Sequence, residues 1–230
     1  MNGGEEEIVM AVVDDQEFVY EEEKHFTVSR TCHFFANDGF TVFDSNGELA
    51  FRVDSYSAGS IDQDELVLMD AHGRCLLTVR RKWPSLHNRW EGFMGERSGG
   101  QKPIFSVKKC SMIGRSNVTV EMYSPAGDEY LIEGSFPHRD CTVIHETTKE
   151  CVAEITRKVD LSTQVLLGKD VFSLHVRPGF DGAVALGLVL VLDQIGGNDE
   201  VEEEDDVVYP DLEDRGDTNH VHSRTQSGPF

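Results

Sequence analysis

The chain has 230 residues, 42 carboxylates against 21 lysines and arginines, and a formal net charge of −21. That balance argues against nucleic acid as a direct partner, because phosphates are repelled. With 39% hydrophobic residues and 13 phenylalanines it can bury a sizeable core, which excludes a wholly disordered chain.

The charge is uneven. Residues 1–23 hold nine carboxylates and no base, and residues 193–230 hold twelve carboxylates against Arg215 and Arg224. The stretch 24–192 keeps 21 acids and 19 bases, so the body is nearly neutral. The ends read as a mobile acidic extension over 1–23 and a disordered acidic tail over 199–230. The plain role of such tails is solubility; the sharper one is to mask a basic patch or dock a basic partner. No basic segment followed by an apolar one opens the chain, so the cytosol is the expected location, with membrane association or a nuclear visit left open. The five cysteines (Cys32, Cys75, Cys110, Cys141, Cys151) are odd in number and none form Cys-x-x-Cys. They read as small hydrophobes in a reducing compartment rather than as disulfides or a zinc site.

From Lys24 the pattern is that of strands. Phe26 and Val28 alternate with Thr27 and Ser29, the period of a half-buried strand. The run 39–44 and the run 49–53 flank Ser45-Asn46-Gly47, and Asn-Gly between alternating runs predicts a hairpin. A second hairpin is expected from Leu66–Asp70, the turn Ala71-His72-Gly73 and Cys75–Arg80. Further strands read at Ile104–Cys110, Val118–Tyr123, Tyr130–Phe136, Cys141–His145, Cys151–Lys158 and Phe172–Arg177. Turn residues at roughly ten-residue spacing are what a sandwich or barrel looks like. Pro178 stops the last strand and Asp181 is placed to cap a helix over about 181–195, ended by Gly196-Gly197. Residues 182–192 are apolar on every side. A helix of that length reaches about 16 Å, against about 30 Å of bilayer hydrocarbon. The surrounding material must therefore be the preceding strands. The expected fold is mainly β: a closed antiparallel barrel around its own C-terminal helix.

The blocks at 39–54, 66–73 (Leu-Val-Leu-Met-Asp-Ala-His-Gly), 88–92 (Asn-Arg-Trp-Glu-Gly) and 167–176 (Leu-Gly-Lys-Asp-Val-Phe-Ser-Leu-His-Val), in this order and spacing, resemble the LURP-one-related family of plants. The resemblance spans about 24–195. It implies a twelve-stranded barrel around a central helix, similar to the tubby C-terminal domain and to phospholipid scramblases, and a domain over 24–198. It also implies a link to plant defence, while the tubby relatives imply phosphoinositide binding. No short motif transfers lipid-binding positions residue by residue.

The densest basic cluster is Arg80-Arg81-Lys82 with Trp83, followed by Arg89 and Trp90. A phosphoinositide head group needs converging cations beside an interfacial aromatic, which nominates Arg80, Lys82, Arg89 and Trp90. Arg81 points to the other face of a strand. The plain alternative is the solvated outer face of a barrel. Lys108-Lys109 with Arg115, and Arg157-Lys158, are weaker clusters. His220-x-His222 near Asp217 reads as incidental, and the other histidines show no ligand spacing. No nucleophile elbow or phosphate-cradling glycine loop is present. The expectation is a monomeric, non-enzymatic binding or regulatory protein without cofactor or metal, engaging a phosphoinositide-containing membrane surface or a protein partner. The alternatives are a scaffold acting through its acidic tails, and scramblase-like lipid translocation.

Overall fold

The computed structural model describes residues 17–33, 36–55, 65–85, 89–112, 115–160 and 162–196. The expectations for residues 1–16, for the tail over 199–230 and for His220 and His222 lie outside these residues. The described chain forms twelve strands: β1 (Lys24–His33), β2 (Ala36–Phe43), β3 (Leu49–Ser55), β4 (Glu65–Asp70), β5 (Cys75–Arg81), β6 (Trp90–Met94), β7 (Phe105–Met112), β8 (Arg115–Met122), β9 (Glu129–Ser135), β10 (Asp140–His145), β11 (Cys151–Arg157) and β12 (Val171–Val176). Each pairs antiparallel with its neighbours in sequence, and β1 pairs with β12, so the sheet closes on itself. Closure leaves no edge strand exposed. The seam is in register, with Phe26 opposite Leu174 and Val28 opposite Phe172.

One helix follows, α1 (Gly182–Gly196), and it fills the barrel. All of its residues are buried except Asp193 and Gln194. Fully burying a Leu or Val side chain stabilises by about 1.5–3 kcal/mol, and α1 buries Leu186, Leu188, Val189, Leu190, Val191 and Leu192 against inward residues of the strands. Asp181 caps it: the Val184 amide donates to Asp181 Oδ1 at 2.8 Å and the Ala185 amide to the Asp181 carbonyl at 2.9 Å. The helix starts where β12 ends, so it runs in the direction of the odd-numbered strands. Its start defines a near rim of the barrel and its end a far rim.

The near rim is crossed by residues 17–20. Val19 bridges Asp181, the Gly182 amide donates to the Phe18 carbonyl at 2.9 Å, and the Gly179 amide donates to the Tyr20 carbonyl at 3.0 Å. The Phe18 ring packs on Phe51 at 5.3 Å and Tyr20 on Phe26 at 6.3 Å. Charge alone assigned this stretch to an extension. Its apolar side chains instead cover the buried start of α1, and Arg74 holds Glu17 at 2.6 Å on the outside.

Strand β6 is absent from the elements read by alternation, and its packing explains why. Gly92 occupies an inward position because the Phe105 ring of β7 fills that space; a Cβ there would lie 2.3 Å from the ring. Phe93 occupies an outward position yet is buried, with Arg97 lying 5.6 Å above its ring. Neither face of β6 shows its polarity in the sequence.

Candidate anion-binding rim

Register decides which way the basic cluster points. Arg80 pairs with Glu65 on β4 and Glu91 on β6, and Arg81 pairs with Trp90. Leu77 and Val79 are buried, so alternation places Arg81 on the inner face and Arg80 on the outer face. Lys82 joins the outer side, its Nζ 2.7 Å from Glu91 Oε1. Arg89 Nη2 donates to Ser106 Oγ at 2.9 Å and to the Tyr123 hydroxyl, and lies 3.6 Å from Glu121 Oε2. Arg97 reaches Glu65 at 3.6 Å and Lys108 reaches Glu121 at 3.3 Å. Arg80, Lys82 and Arg89 thus share one outer face, as their spacing suggested, but Glu65, Glu91 and Glu121 are interleaved among them.

Trp90 does not join them. It is 4% exposed, sits opposite Val107 and belongs to the core. Its nomination as an interfacial aromatic is therefore corrected: it begins an unrecognised strand on an inward position. The exposed ring here is Trp83, 62% exposed and stacked against the Arg81 guanidinium at 4.3 Å. Exposed cation–π pairs of this kind contribute about 0.5–1 kcal/mol.

A second set of cations emerges from the same alternation. Arg30 pairs with Phe40, Arg81 with Trp90, Lys109 with Val118 and Arg157 with Phe172, and all four partners are buried. Each cation therefore sits on an inward-facing position. Each lies on an odd strand, which runs toward the far rim. Arg81 and Arg157 end β5 and β11, while β1 and β7 run on past Arg30 and Lys109 to His33 and Met112. A fifth cation, Arg139, comes from the β9–β10 turn in a left-handed conformation (φ 54°). It is 5% exposed, lies over the Phe136 and Phe172 rings at 4.2 and 4.5 Å, and donates from Nε to the Lys169 carbonyl at 2.8 Å. Burial pushes its pKa down, opposed by the nearby Asp193 carboxylate. Asp193, on the last turn of α1, lies 3.9 Å from Arg30. The helix C-terminus carries a partial negative charge that favours cations around it. In the sequence Arg81, Lys109 and Arg157 fall in separate clusters, and Arg30 and Arg139 in none; strand direction and register direct them toward one rim.

The near rim holds an apolar concavity of about 280 Å³ lined by Phe18, Leu76, Leu77, Met94, Ile104 and Val184. Its ionisable neighbours are engaged: Glu17 with Arg74, and Asp181 as the helix cap. Burial raises the Cys75 thiol pKa, which disfavours the thiolate.

The profile of the LURP-one-related family matches residues 24–193, from the first strand to the last turn of the helix. The chain belongs to the LURP-one-related family. Among curated relatives from Arabidopsis thaliana, Protein LURP-one-related 5 is 62% identical over 205 residues, covering 87% of this chain and 96% of that protein. Protein LURP-one-related 12 is 57% identical over 203 residues, covering 88% and 92%. A crystal structure of another Arabidopsis thaliana protein superposes with a TM-score of 0.58 at 24% identity, covering 80% of this chain and 98% of that one. That likeness shows the same fold in this LURP-one-related chain. The acidic stretches 1–23 and 194–230 fall outside the matched family region.

Proposed function

We propose that this LURP-one-related chain is a non-enzymatic binding module whose far rim engages an anionic, phosphoinositide-bearing membrane surface in plant defence or stress responses. The observation that carries this reading is the placement of Arg30, Arg81, Lys109 and Arg157 on inward positions of strands that all run toward one rim, with exposed Trp83 stacked on Arg81. Aromatic rings sit well at headgroup depth, and each Lys or Arg near an anionic surface contributes about 1 kcal/mol. The outer-face trio Arg80, Lys82 and Arg89 adds long-range attraction, but Glu91 and Glu121 reduce it.

Translocation of lipid by a scramblase-like route is disfavoured. Among the described residues no helix is long and apolar enough to cross a membrane, and α1 is enclosed by the barrel.

Flotation with phosphatidylcholine vesicles, with and without a phosphatidylinositol phosphate, tests the proposal. Binding should require the phosphoinositide. The pair Arg81→Glu and Lys109→Glu should weaken it more than tenfold, each decade being about 1.4 kcal/mol, and Trp83→Ala should weaken it less. Arg80→Glu with Lys82→Glu should matter less than the rim pair. Failure of the chain to float with phosphoinositide would remove the membrane reading and favour the scaffold alternative, which rests on the nine carboxylates of 1–23 and the twelve of 193–230.

A further inference from the structure

Two histidines far apart in sequence meet across the barrel seam. His25 on β1 and His175 on β12 are direct cross-strand partners, with ring centroids 4.5 Å apart at an interplanar angle of 79°. Phe26 and Leu174, their neighbours, are buried, so the two imidazoles stand on the outer face. Glu23, just before β1, completes the group. Its Oε2 accepts from Arg177 Nη1 at 2.7 Å, which leaves Oε1 facing His25 Nε2 at 3.8 Å and His175 Nδ1 at 3.9 Å. The three ligand atoms all lie within 4.8 Å of one another. At these separations they do not hydrogen-bond each other; they converge on a common point.

We propose that Glu23, His25 and His175 form a binding site for a divalent first-row transition ion of the zinc type. Two imidazoles and one carboxylate are the donors that Zn²⁺ takes, whereas Mg²⁺ and Ca²⁺ want oxygen ligands throughout. Metal–ligand bonds of about 2.0–2.2 Å in a tetrahedron put neighbouring ligand atoms roughly 3.4 Å apart. The observed 3.8 and 3.9 Å need a closure of about half an ångström, and the two imidazole nitrogens, within 4.8 Å of each other, need at most about 1.4 Å, within reach of side-chain rotation. Both histidines must be neutral to ligate. Arg177 orients the carboxylate in the manner of an outer-sphere partner. Glu154, opposite His175 on β11, offsets the Arg177 charge. Three protein ligands leave a coordination position to solvent. The structural consequence is direct: a bound ion joins the segment leading into β1 to β12, pinning the strap of residues 17–23 and the closing seam together.

The test is calorimetric titration of the full chain with ZnCl₂ in excess MgCl₂, which occupies the acidic stretches. His220→Ala and His222→Ala are built into every variant so that the tail histidines do not contribute. One saturable zinc site is expected, with Co²⁺ giving the visible absorption of a low-coordinate nitrogen-ligated ion. His25→Ala or His175→Ala should weaken zinc binding at least tenfold and abolish the zinc-dependent rise in Tm. Glu23→Gln should weaken it less. His25 is 54% exposed, so its replacement leaves the fold intact, as far-UV circular dichroism will confirm. No saturable zinc binding in the background lacking the tail histidines would overturn the proposal. So would binding unchanged by His25→Ala and His175→Ala together.

Discussion

Phe105 occupies space that two glycines leave open. Its ring, fully buried, lies where a Cβ on Gly92 of β6 would fall 2.3 to 2.8 Å from three ring atoms, and 3.3 Å from where a Cβ on Gly187 of α1 would be. A strand, its neighbour and the central helix thus meet at one aromatic. Gly92→Ala forces the ring to move in a packed interior, at a cost of about 1–3 kcal/mol. Thermal unfolding of Gly92→Ala should show a Tm lowered by several degrees, and Phe105→Leu in that background should recover part of the loss, because the two sites share one volume. An additive double mutant would separate them. This contact also marks where sequence reading fails. Alternation identifies a strand by side-chain polarity, and Gly92 contributes none. With β6 hidden, Trp90 could only be read as an aromatic beside a basic cluster, although its register opposite Val107 makes it core.

At the scale of elements, the helix and the hairpins were legible because each carries local chemistry that little else produces. The all-round apolar run at 182–192 needs an enclosure, and α1 spans Gly182–Gly196 inside one. Asn46-Gly47 and His72-Gly73 both make their turns, with Gly47 and Gly73 at φ of 80° and 87°. The strap at 17–23 was not legible, because contacts such as Phe18 to Phe51 and Glu17 to Arg74 span more than thirty positions, while its own composition is that of a solvated acidic stretch. Tyr20 reports on that strap. Burial, reinforced by Asp181 and Glu17, pushes its pKa from 10.0 up to about 12. The unfolded chain ionises Tyr20 near pH 10 and the folded chain holds the proton, so its contribution is fully present below pH 10 and is lost as pH rises toward 12. Denaturation midpoints measured from pH 9 to 12 should fall less steeply in Tyr20→Phe than in the unaltered chain. Equal slopes would show that the Tyr20 hydroxyl is not sheltered by the strap.

At the scale of the whole molecule, direction is what an up-and-down barrel adds to a list of strands. Every odd strand runs toward the far rim, and Arg30, Arg81, Lys109 and Arg157 place cations on inward positions in the second half of β1, β5, β7 and β11. The helix inside points its negative end the same way, with Asp193 on its last turn. A basic rim on a nearly neutral barrel stands in contrast to the eleven carboxylates of residues 199–230, which follow the helix in the sequence. By charge alone, these acids should compete with vesicle phosphates for cations. Removing residues 199–230 takes away eleven carboxylates and two arginines, and should therefore tighten binding to phosphoinositide vesicles. Because the competition is electrostatic and the Debye length is about 8–10 Å near physiological salt, the advantage of the shortened chain should shrink as salt is raised toward 1 M. Flotation of both chains across a salt series measures this. Equal binding at low salt would show that the acidic stretch does not act on the rim, and an advantage that persists at high salt would assign its effect to shape rather than charge.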